Sequence, residues 1–499
     1  MTMDIQELRG EIDSIDDQLI RLFVQRMAVA SRIAEYKKAR GLPVLDARRE
    51  QEKLDAVAAK AGPAMADYTR SLYASLFRLS RDYQDRLQQE SALRCGLLGR
   101  KLGHSYSPQI HAHLGGYPYA LLEKEPEELE AFLRNGDFTG INVTIPYKQD
   151  VIPFLDELTD TAKALGAVNT IVRRDGRLIG HNTDYFGFQT MLLASGLSVA
   201  GKKALVLGSG GASKTAVAVL KQQGAQVVVI SRSGADHYGN LNQHADAAVI
   251  VNATPVGMYP NTGVSPIDLD QFPQLEGVLD VVYNPARTQL LLDAENRDLV
   301  AVNGLLMLVA QAKEAAEWFT GRPIADEMIT AIHAQLRRQM ENIILIGMPG
   351  SGKTTVGRRI AEITGKRFVD ADAAIIEKAG RSIPELFSEV GEAGFRALET
   401  EVLAQLGKQS GWVIATGGGC VTKAENYPLL HQNGSIFCLH RDLDKLPTEG
   451  RPLSQSTDLQ TLYRTRKPMY DRFADHHIDC NGSAEAAAEE ILSIWEGAK

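Results

Sequence analysis

Apolar residues recur at every third or fourth position from Ile5 through Leu8, Ile12, Ile15, Leu19 and Leu22 to Ile33, and Gly41-Leu42-Pro43 ends the run. That period predicts one long helix. A second helix is expected from about Ala47 to Lys60, stopped by Gly62-Pro63, and a third carries Tyr68, Leu72, Leu76, Leu79 and Tyr83. Helices of such unequal length cannot enclose a core alone. Much of the first projects beyond its partners with its apolar face wet, so a dimer is expected. After the polar joint Gln88-Gln89-Glu90-Ser91 the pattern changes to short apolar runs between glycine turns. Cys95 to Gly99, Gly140 to Lys148, Gly166 to Thr170, Lys203 to Leu207 and Gln226 to Ile230 read as strands, and Lys214 to Gln222 reads as the helix of a βαβ unit. A helix ending in Arg337-Arg338-Gln339 then leads straight into the apolar run Asn342 to Ile346, and Arg367 to Asp372 predicts a further strand.

At 499 residues the chain exceeds what one core supports, so several domains are expected. A net charge of -8 with 23% charged residues offers no basic surface for nucleic acid. Cys95, Cys420, Cys438 and Cys480 lack the spacing of a disulfide framework or zinc site, which fits a reduced cytoplasm. The first residues show no leader pattern, and no apolar run approaches membrane-spanning length, so no membrane partner is expected.

The chemistry is clearest after Ile346. Gly347-Met348-Pro349-Gly350-Ser351-Gly352-Lys353-Thr354-Thr355 matches the G-x-x-x-x-G-K-[ST] phosphate cradle. Glycines let backbone N–H groups converge on phosphate oxygens, Lys353 adds positive charge, and the Thr354 hydroxyl suits magnesium. Asp370 and Asp372 end the next strand two residues apart, which behind such a cradle reads as magnesium chemistry. With Gly391 to Arg396, Ala415 to Gly419, Arg451-Pro452-Leu453 and Arg466 to Tyr470, residues 341–499 resemble shikimate kinase, an α/β P-loop fold using ATP and Mg2+. The resemblance implies that Asp370 and Thr354 serve the metal and that Asp372 deprotonates the acceptor hydroxyl. It places Arg396 and Arg466 on the acceptor carboxylate, Gly417, Gly418 and Gly419 against its ring, and Arg451 on a closing lid. The stretch Lys445 to Gly450 is short and lacks an arginine common before the lid arginine.

In the helical module, Arg9, Arg26 and Lys37 lie on the long helix; Asp46, Arg49 and Glu50 open the second, and Ser80 and Gln84 sit one turn apart on the third. At about 1.5 Å per residue, Arg9 and Arg26 are roughly 25 Å apart, too far for one small ligand. One of them must serve a partner's site. As residue types alone, this is equally a solvated face on a dimerisation coil or a module that binds another enzyme. As a set, residues 1–90 resemble the all-helical chorismate mutases. That implies Arg26, Lys37 and the partner's Arg9 on the carboxylates of chorismate, Lys37 and Gln84 at its ether oxygen, and Asp46, Arg49, Glu50 and Ser80 around them.

The glycine turn Gly208-Ser209-Gly210-Gly211-Ala212-Ser213 is a weak dinucleotide fingerprint, because Ser213 stands in place of the third glycine. Ser231-Arg232 follows the second strand where an acidic residue would bind a ribose hydroxyl, which favours NADP. Residues 92–335 resemble shikimate dehydrogenase through Ser105 to Pro108, Asn142 to Lys148, Gly166 to Thr170, Asn182 to Asp184, Asn252 to Met258 and Gly304 to Gln311. The resemblance implies a substrate lobe at about 92–190 completed by C-terminal helices, and a Rossmann-like NADP lobe at about 200–300. It places Ser105 and Ser107 on the carboxylate of 3-dehydroshikimate, and Thr144, Asn169, Tyr283 and Gln311 on the rest of the substrate. Lys148 with Asp184 becomes the acid/base pair, and Gly304 lies with the cofactor. Asp236 replaces the second arginine of the family's 2'-phosphate clamp, and Gly234 to Ala245 is short for a helix, which keeps quinate with NAD open. His104, His111 and His113 are expected to be structural or surface residues. The whole chain thus reads as a trifunctional, dimeric enzyme of aromatic amino acid biosynthesis.

Overall fold

The protein is described by a computed structural model over residues 5–103, 105–446 and 459–497. It forms two units. One runs to Thr159 and includes Val168–His181 and Ala315–Ile324; the other takes in Asp160–Ala167, Asn182–Glu314 and the chain from Ala325 onward.

The first unit opens with helices α1 (Ile5–Ala39), α2 (Ala47–Ala61) and α3 (Ala66–Ala92). The Asp46 carboxylate caps α2 by accepting from the Arg49 N–H at 3.1 Å. Only Ala30 and Ala34 of α1 are buried, whereas Ile12 and Leu22 are 58% and 61% exposed. Among the described residues, much of the apolar stripe of α1 is therefore left exposed. A six-stranded sheet follows, built from β1 (Cys95–Gly99), β2 (Tyr119–Glu123), β3 (Gly140–Val143), β4 (Glu157–Leu158), β5 (Thr170–Arg174) and β6 (Arg177–His181) in the order β2-β1-β3-β5-β6-β4. Its β5 runs antiparallel to both neighbours. The expected strand over Gly166 to Thr170 begins only at Thr170, because Gly166 turns the chain in the left-handed region at φ +57°. His111 is fully buried, stacked 4.0 Å from Tyr119, and burial drives its pKa down to about 3, so it is a neutral core residue. His113 is exposed, and His104 lies outside the described residues.

The second unit holds two parallel sheets. One comprises β7 (Lys203–Leu207), β8 (Gln226–Ile230), β9 (Val249–Asn252), β10 (Gly277–Asp280) and β11 (Val300–Val302) in the order β11-β10-β9-β7-β8. The other comprises β12 (Asn342–Gly347), β13 (Arg367–Asp370), β14 (Trp412–Ala415), β15 (Gly434–His440) and β16 (His476–Asp479) in the order β13-β14-β12-β15-β16. The strand expected to reach Asp372 stops at Asp370, because the Asp370 carboxylate caps a helix, Ala371–Ala379, that already contains Asp372. Both are clothed on two faces, which is why their central strands are unbroken apolar runs. Ala204 and Val206 enter one core while Leu205 and Leu207 enter another. Ile344 and Ile346 likewise face away from Ile343 and Leu345.

These two sheets belong to one packed body. The Ala286 N–H donates to Asn433 Oδ1 at 2.8 Å, the Arg287 N–H to the Gln432 carbonyl at 2.8 Å, and the Arg287 guanidinium to the His431 carbonyl at 3.1 Å. Lys408 reaches the Pro260 carbonyl at 3.0 Å. Within the first of the sheets, the buried Asp280 carboxylate accepts from the Asn252 amide at 3.0 Å, the Val282 N–H at 2.9 Å and the Thr288 hydroxyl at 2.7 Å. Burial pushes its pKa up to about 6 against these bonds.

Asp280→Ala leaves those donors unpaired and is expected to cost about 2–4 kcal/mol, read as faster amide exchange in β9 and β10. Because the folded pKa lies above the ordinary carboxylate value, Asp280 binds its proton more tightly when folded. The stability of the native chain relative to Asp280→Asn should therefore rise as pH falls from 7 to 5.

Candidate active sites

The helical part of the first unit encloses a cavity of about 1070 Å³ lined by Arg26, Lys37, Asp46, Arg49, Glu50, Ser80 and Gln84. Arg26 donates to the Ser80 hydroxyl and lies 5.7 Å from the Phe77 ring centre. Lys37 Nζ donates to the Val44 carbonyl at 2.5 Å. Gln84 is buried, and its Oε1 has no partner among the described residues, so a ligand donor or water is needed there. Arg81, which sequence reasoning missed, pairs with Glu50 and holds that carboxylate at the cavity wall. Arg9 does not line this cavity. Arg32, Arg49, Lys53 and Arg81 also line it, so the cavity is strongly cationic.

The residues proposed for a hydride transfer fall in both units. In the first, Ser107 is buried and opens the helix Ser107–Leu114, with its N–H donating to the Ser105 hydroxyl at 3.2 Å. Thr144 leaves the end of β3, and the Lys148 carbonyl accepts from the Val168 N–H at 2.7 Å, which fixes the backbone from which Lys148 projects. Asn169 is buried beside Thr170, whose hydroxyl donates to Asn169 Oδ1 at 3.1 Å. Asn142, unassigned from sequence, organises this corner: it accepts from the Tyr119 hydroxyl at 2.8 Å and donates to the Asn169 carbonyl and the Thr170 hydroxyl.

In the second unit, Asp184 is buried at the start of the helix Asp184–Ala194, its N–H held by Asn182 Oδ1 at 3.1 Å. The Thr183 hydroxyl faces Gln311 Oε1 at 3.4 Å. The glycine turn fits a dinucleotide. Gly208 stands at φ +103° with the Ala253 carbonyl 3.2 Å from where a Cβ would be, while Gly210 faces open space before the helix that begins at Gly211. Ser213 is buried and donates to the Gly208 carbonyl at 2.7 Å, so a serine closes this turn from inside. Ala212 follows in the helix's first turn, and Ser231 and Arg232 come directly after β8, Arg232 exposed. Gly304 has no room for a side chain, since its Cβ would strike the Val281 carbonyl. Tyr283 lies between β10 and the helix Gln289–Glu295.

The phosphate cradle lines a second cavity, of about 530 Å³, together with Asp370, Asp372, Arg396, Glu399, Gly417 to Gly419, Arg441 and Arg466. The left-handed Gly350 and Gly352 turn the loop into the helix Lys353–Thr364, which begins at Lys353 and continues through Thr355. Ser351 is buried beneath it, and Gly347 ends β12. The Thr354 hydroxyl donates to Asp370 Oδ2 at 2.8 Å, a pair of hard oxygens suited to Mg2+. Arg396 is buried and bound to the buried Glu399 at 2.6 Å. Burial raises the Glu399 pKa and Arg396 draws it back. Arg396 Nε has no partner among the described residues, which leaves a donor for an incoming carboxylate, while Glu399 Oε1 is an acceptor without a partner among them. Arg466 donates to the Gly418 carbonyl at 3.1 Å. A Cβ on Gly417 would come within 2.7 Å of the Asp372 carboxylate, and one on Gly419 would collide with the Arg396 guanidinium. Glu399 and Arg441 escaped sequence reasoning; the first was signalled only by its place three residues after Arg396. Arg451 and the rest of the stretch from Pro447 lie outside the described residues.

Comparison with known proteins returns matches along the whole chain. Family models match in three places: Chorismate mutase type II at residues 8–85, Shikimate dehydrogenase substrate binding domain at 97–171, and Shikimate kinase at 349–496. A shikimate dehydrogenase (NADP(+)) of Symbiobacterium thermophilum is 40% identical over 278 residues, 49% of this chain and 95% of that protein. One from Shouchella clausii is 38% identical over 256 residues, 46% of this chain and 92% of the relative. Among solved structures, a chorismate mutase/shikimate 5-dehydrogenase fusion protein from Clostridium acetobutylicum aligns with a TM-score of 0.46 at 34% identity, covering 48% of this chain and 96% of its own.

Gly419→Ala tests the third site. Its methyl displaces Arg396, so the acceptor KM is expected to rise tenfold or more, roughly 1.4 kcal/mol, while fluorescent ATP-analogue binding stays unchanged. An unaltered acceptor KM would remove Arg396 from the acceptor site.

Proposed function

We infer that this chain, which belongs to the shikimate dehydrogenase family, catalyses three reactions of aromatic amino acid biosynthesis. It reduces 3-dehydroshikimate to shikimate with NADPH, phosphorylates shikimate with magnesium ATP, and rearranges chorismate to prephenate. The observation that carries this reading is the cavity of the C-terminal sheet, where a phosphate cradle, a magnesium-type oxygen pair, a second aspartate and three arginines face one space. Domains at 1–90, 92–335 and 341–499 divide the work.

In the kinase, Asp372 takes the proton of the acceptor hydroxyl as its oxygen attacks the terminal phosphorus. Arg396 and Arg466 hold the carboxylate, and Lys353 with Arg451 meets the transferring charge. Thr354 and Asp370 would hold Mg2+, and magnesium ATP would supply the phosphoryl group. In the dehydrogenase, Ser105, Ser107, Thr144, Asn169, Tyr283 and Gln311 orient the substrate. By the resemblance to shikimate dehydrogenase, Lys148 and Asp184 serve as the acid/base pair, Lys148 giving a proton to the carbonyl oxygen as the carbonyl carbon is reduced. NADPH supplies the hydride, and Arg232 recognises its 2'-phosphate.

In the mutase, Arg26, Lys37 and Arg9 of the partner subunit hold two carboxylates, while Lys37 and Gln84 meet charge developing on the ether oxygen. The exposed stripe of α1 and the exclusion of Arg9 from its own chain's cavity support a homodimer. The setting is cytoplasmic, with four buried, reduced cysteines. The partners are small molecules alone, without nucleic acid or membrane.

Incubation of the full chain with 3-dehydroshikimate, NADPH and magnesium ATP should yield shikimate 3-phosphate by mass spectrometry. Lys148→Ala should stop at 3-dehydroshikimate with NADPH still bound. Asp372→Asn should stop at shikimate, with kcat lowered by about 10²–10⁴ and nucleotide affinity retained. Persistent shikimate 3-phosphate in either variant would refute that residue's role. Arg26→Ala should lower chorismate turnover at least about 100-fold without changing the sedimentation of a dimer; retained turnover would reduce residues 1–90 to an assembly module.

A further inference from the structure

Strands β15 and β16 bring three metal-type ligands onto one face of the C-terminal sheet. Cys438 and His440 are two residues apart on β15, so their side chains leave the same face. His477 on β16 is the register partner of Cys438. One donor atom from each lies within 4.8 Å of the other two. The cluster is graded in depth: Cys438 is buried, His440 half-buried and His477 exposed. The two imidazoles stack with ring centres 4.9 Å apart, and His440 Nε2 lies 2.6 Å from His477 Nδ1. Among the described residues, each ring's side-chain hydrogen bond is to the other ring. Asp471 and Asp479 are the nearby anions, against Lys467 and Lys353.

We propose that Cys438, His440 and His477 form a Zn2+ site with a fourth position open to water. A thiolate with two neutral imidazoles is a borderline-soft donor set, which suits zinc and not magnesium. With zinc–nitrogen bonds of about 2.0–2.1 Å, tetrahedral ligand nitrogens stand about 3.3 Å apart. The hydrogen-bonded pair therefore opens by about 0.7 Å, which the exposed His477 can supply by rotation. On binding, the Cys438 thiol gives its proton to solvent, leaving a site of charge +1. Leu439, between the two β15 ligands, pairs with Gly347 at the start of the phosphate cradle, and β16 is the sheet's edge strand. The ion thus staples that edge to the strand beside the cradle. This is separate from the magnesium pair at Thr354 and Asp370, which offers only oxygen.

The test loads chelator-stripped full-length chain with Co2+ as a spectroscopic probe and then displaces it with Zn2+. A thiolate-to-cobalt charge-transfer band with tetrahedral d–d absorption is expected at one equivalent, abolished by Zn2+, absent in Cys438→Ser and at least tenfold weaker in titration with His477→Ala. Because Cys438→Ser alters the core, the exposed His477→Ala is the decisive variant. Amide exchange over residues 476–479 should slow on Zn2+ addition to the native chain and not to His477→Ala. Absence of the thiolate band, or equal cobalt affinity in His477→Ala, would overturn the site and leave a hydrogen-bonded histidine pair.

Discussion

One carboxylate ties the two halves of the C-terminal site together. Asp370 Oδ2 holds the Thr354 hydroxyl at the mouth of the cradle, while Oδ1 accepts from the N–H groups of Asp372 and Ala373 and so caps the helix Ala371–Ala379. The strand that ends at Asp370 thereby fixes both the Thr354 hydroxyl and the backbone from which Asp372 projects. The acceptor side depends on the same geometry, because the Gly417 backbone approaches Asp372 with no Cβ between them. Arg396 occupies the volume that a side chain on Gly419 would fill. The pocket is made of what this turn omits as much as of what surrounds it.

Electrostatics explains why such a pocket keeps its arginine ready. Arg396 and Glu399 are both buried, and an isolated charge there would be expensive. Their mutual bond at 2.6 Å neutralises the pair while using only part of the guanidinium. If a carboxylate is bound at the remaining donors, as proposed, it meets a cation already dehydrated and fixed in place, so little reorganisation accompanies binding. The helical cavity works differently. Arg26 is fixed by the Ser80 hydroxyl and Lys37 by a main-chain carbonyl, neutral partners that leave the positive charge intact for a dianion.

The sequence made the elements legible wherever pattern and local chemistry agree. The 3.6 period of α1, the unbroken apolar run of β12 and the glycine cradle each follow from nearest neighbours along the chain. What escaped was set by distant partners. Asn142 gains its role from Tyr119, Asn169 and Thr170, and Arg81 from Glu50, 31 residues away. Nothing local marks Asn433 as the residue that receives the Ala286 N–H from 147 positions earlier. The strand expected at Gly166 failed for a local reason, since the periodicity of apolar residues does not reveal a left-handed glycine.

Asp236 shows how contact can change the meaning of a substitution. In sequence it sits where a second cation would help hold a 2'-phosphate, and its negative charge argues against that phosphate. In the fold, Asp236 Oδ1 lies 2.9 Å from His244 Nε2, and its main-chain carbonyl accepts from the Ser231 N–H at 3.1 Å. The carboxylate is thus engaged with the short 3₁₀ turn Leu241–His244. Its main chain meanwhile shapes the loop that carries Arg232. Shortened segment and aspartate are then one compensated change: the turn supplies a partner for the charge, and Arg232 is left exposed as the loop's cation. A phosphate approaching Arg232 meets a carboxylate already paired with an imidazole, and its repulsion is weakened accordingly.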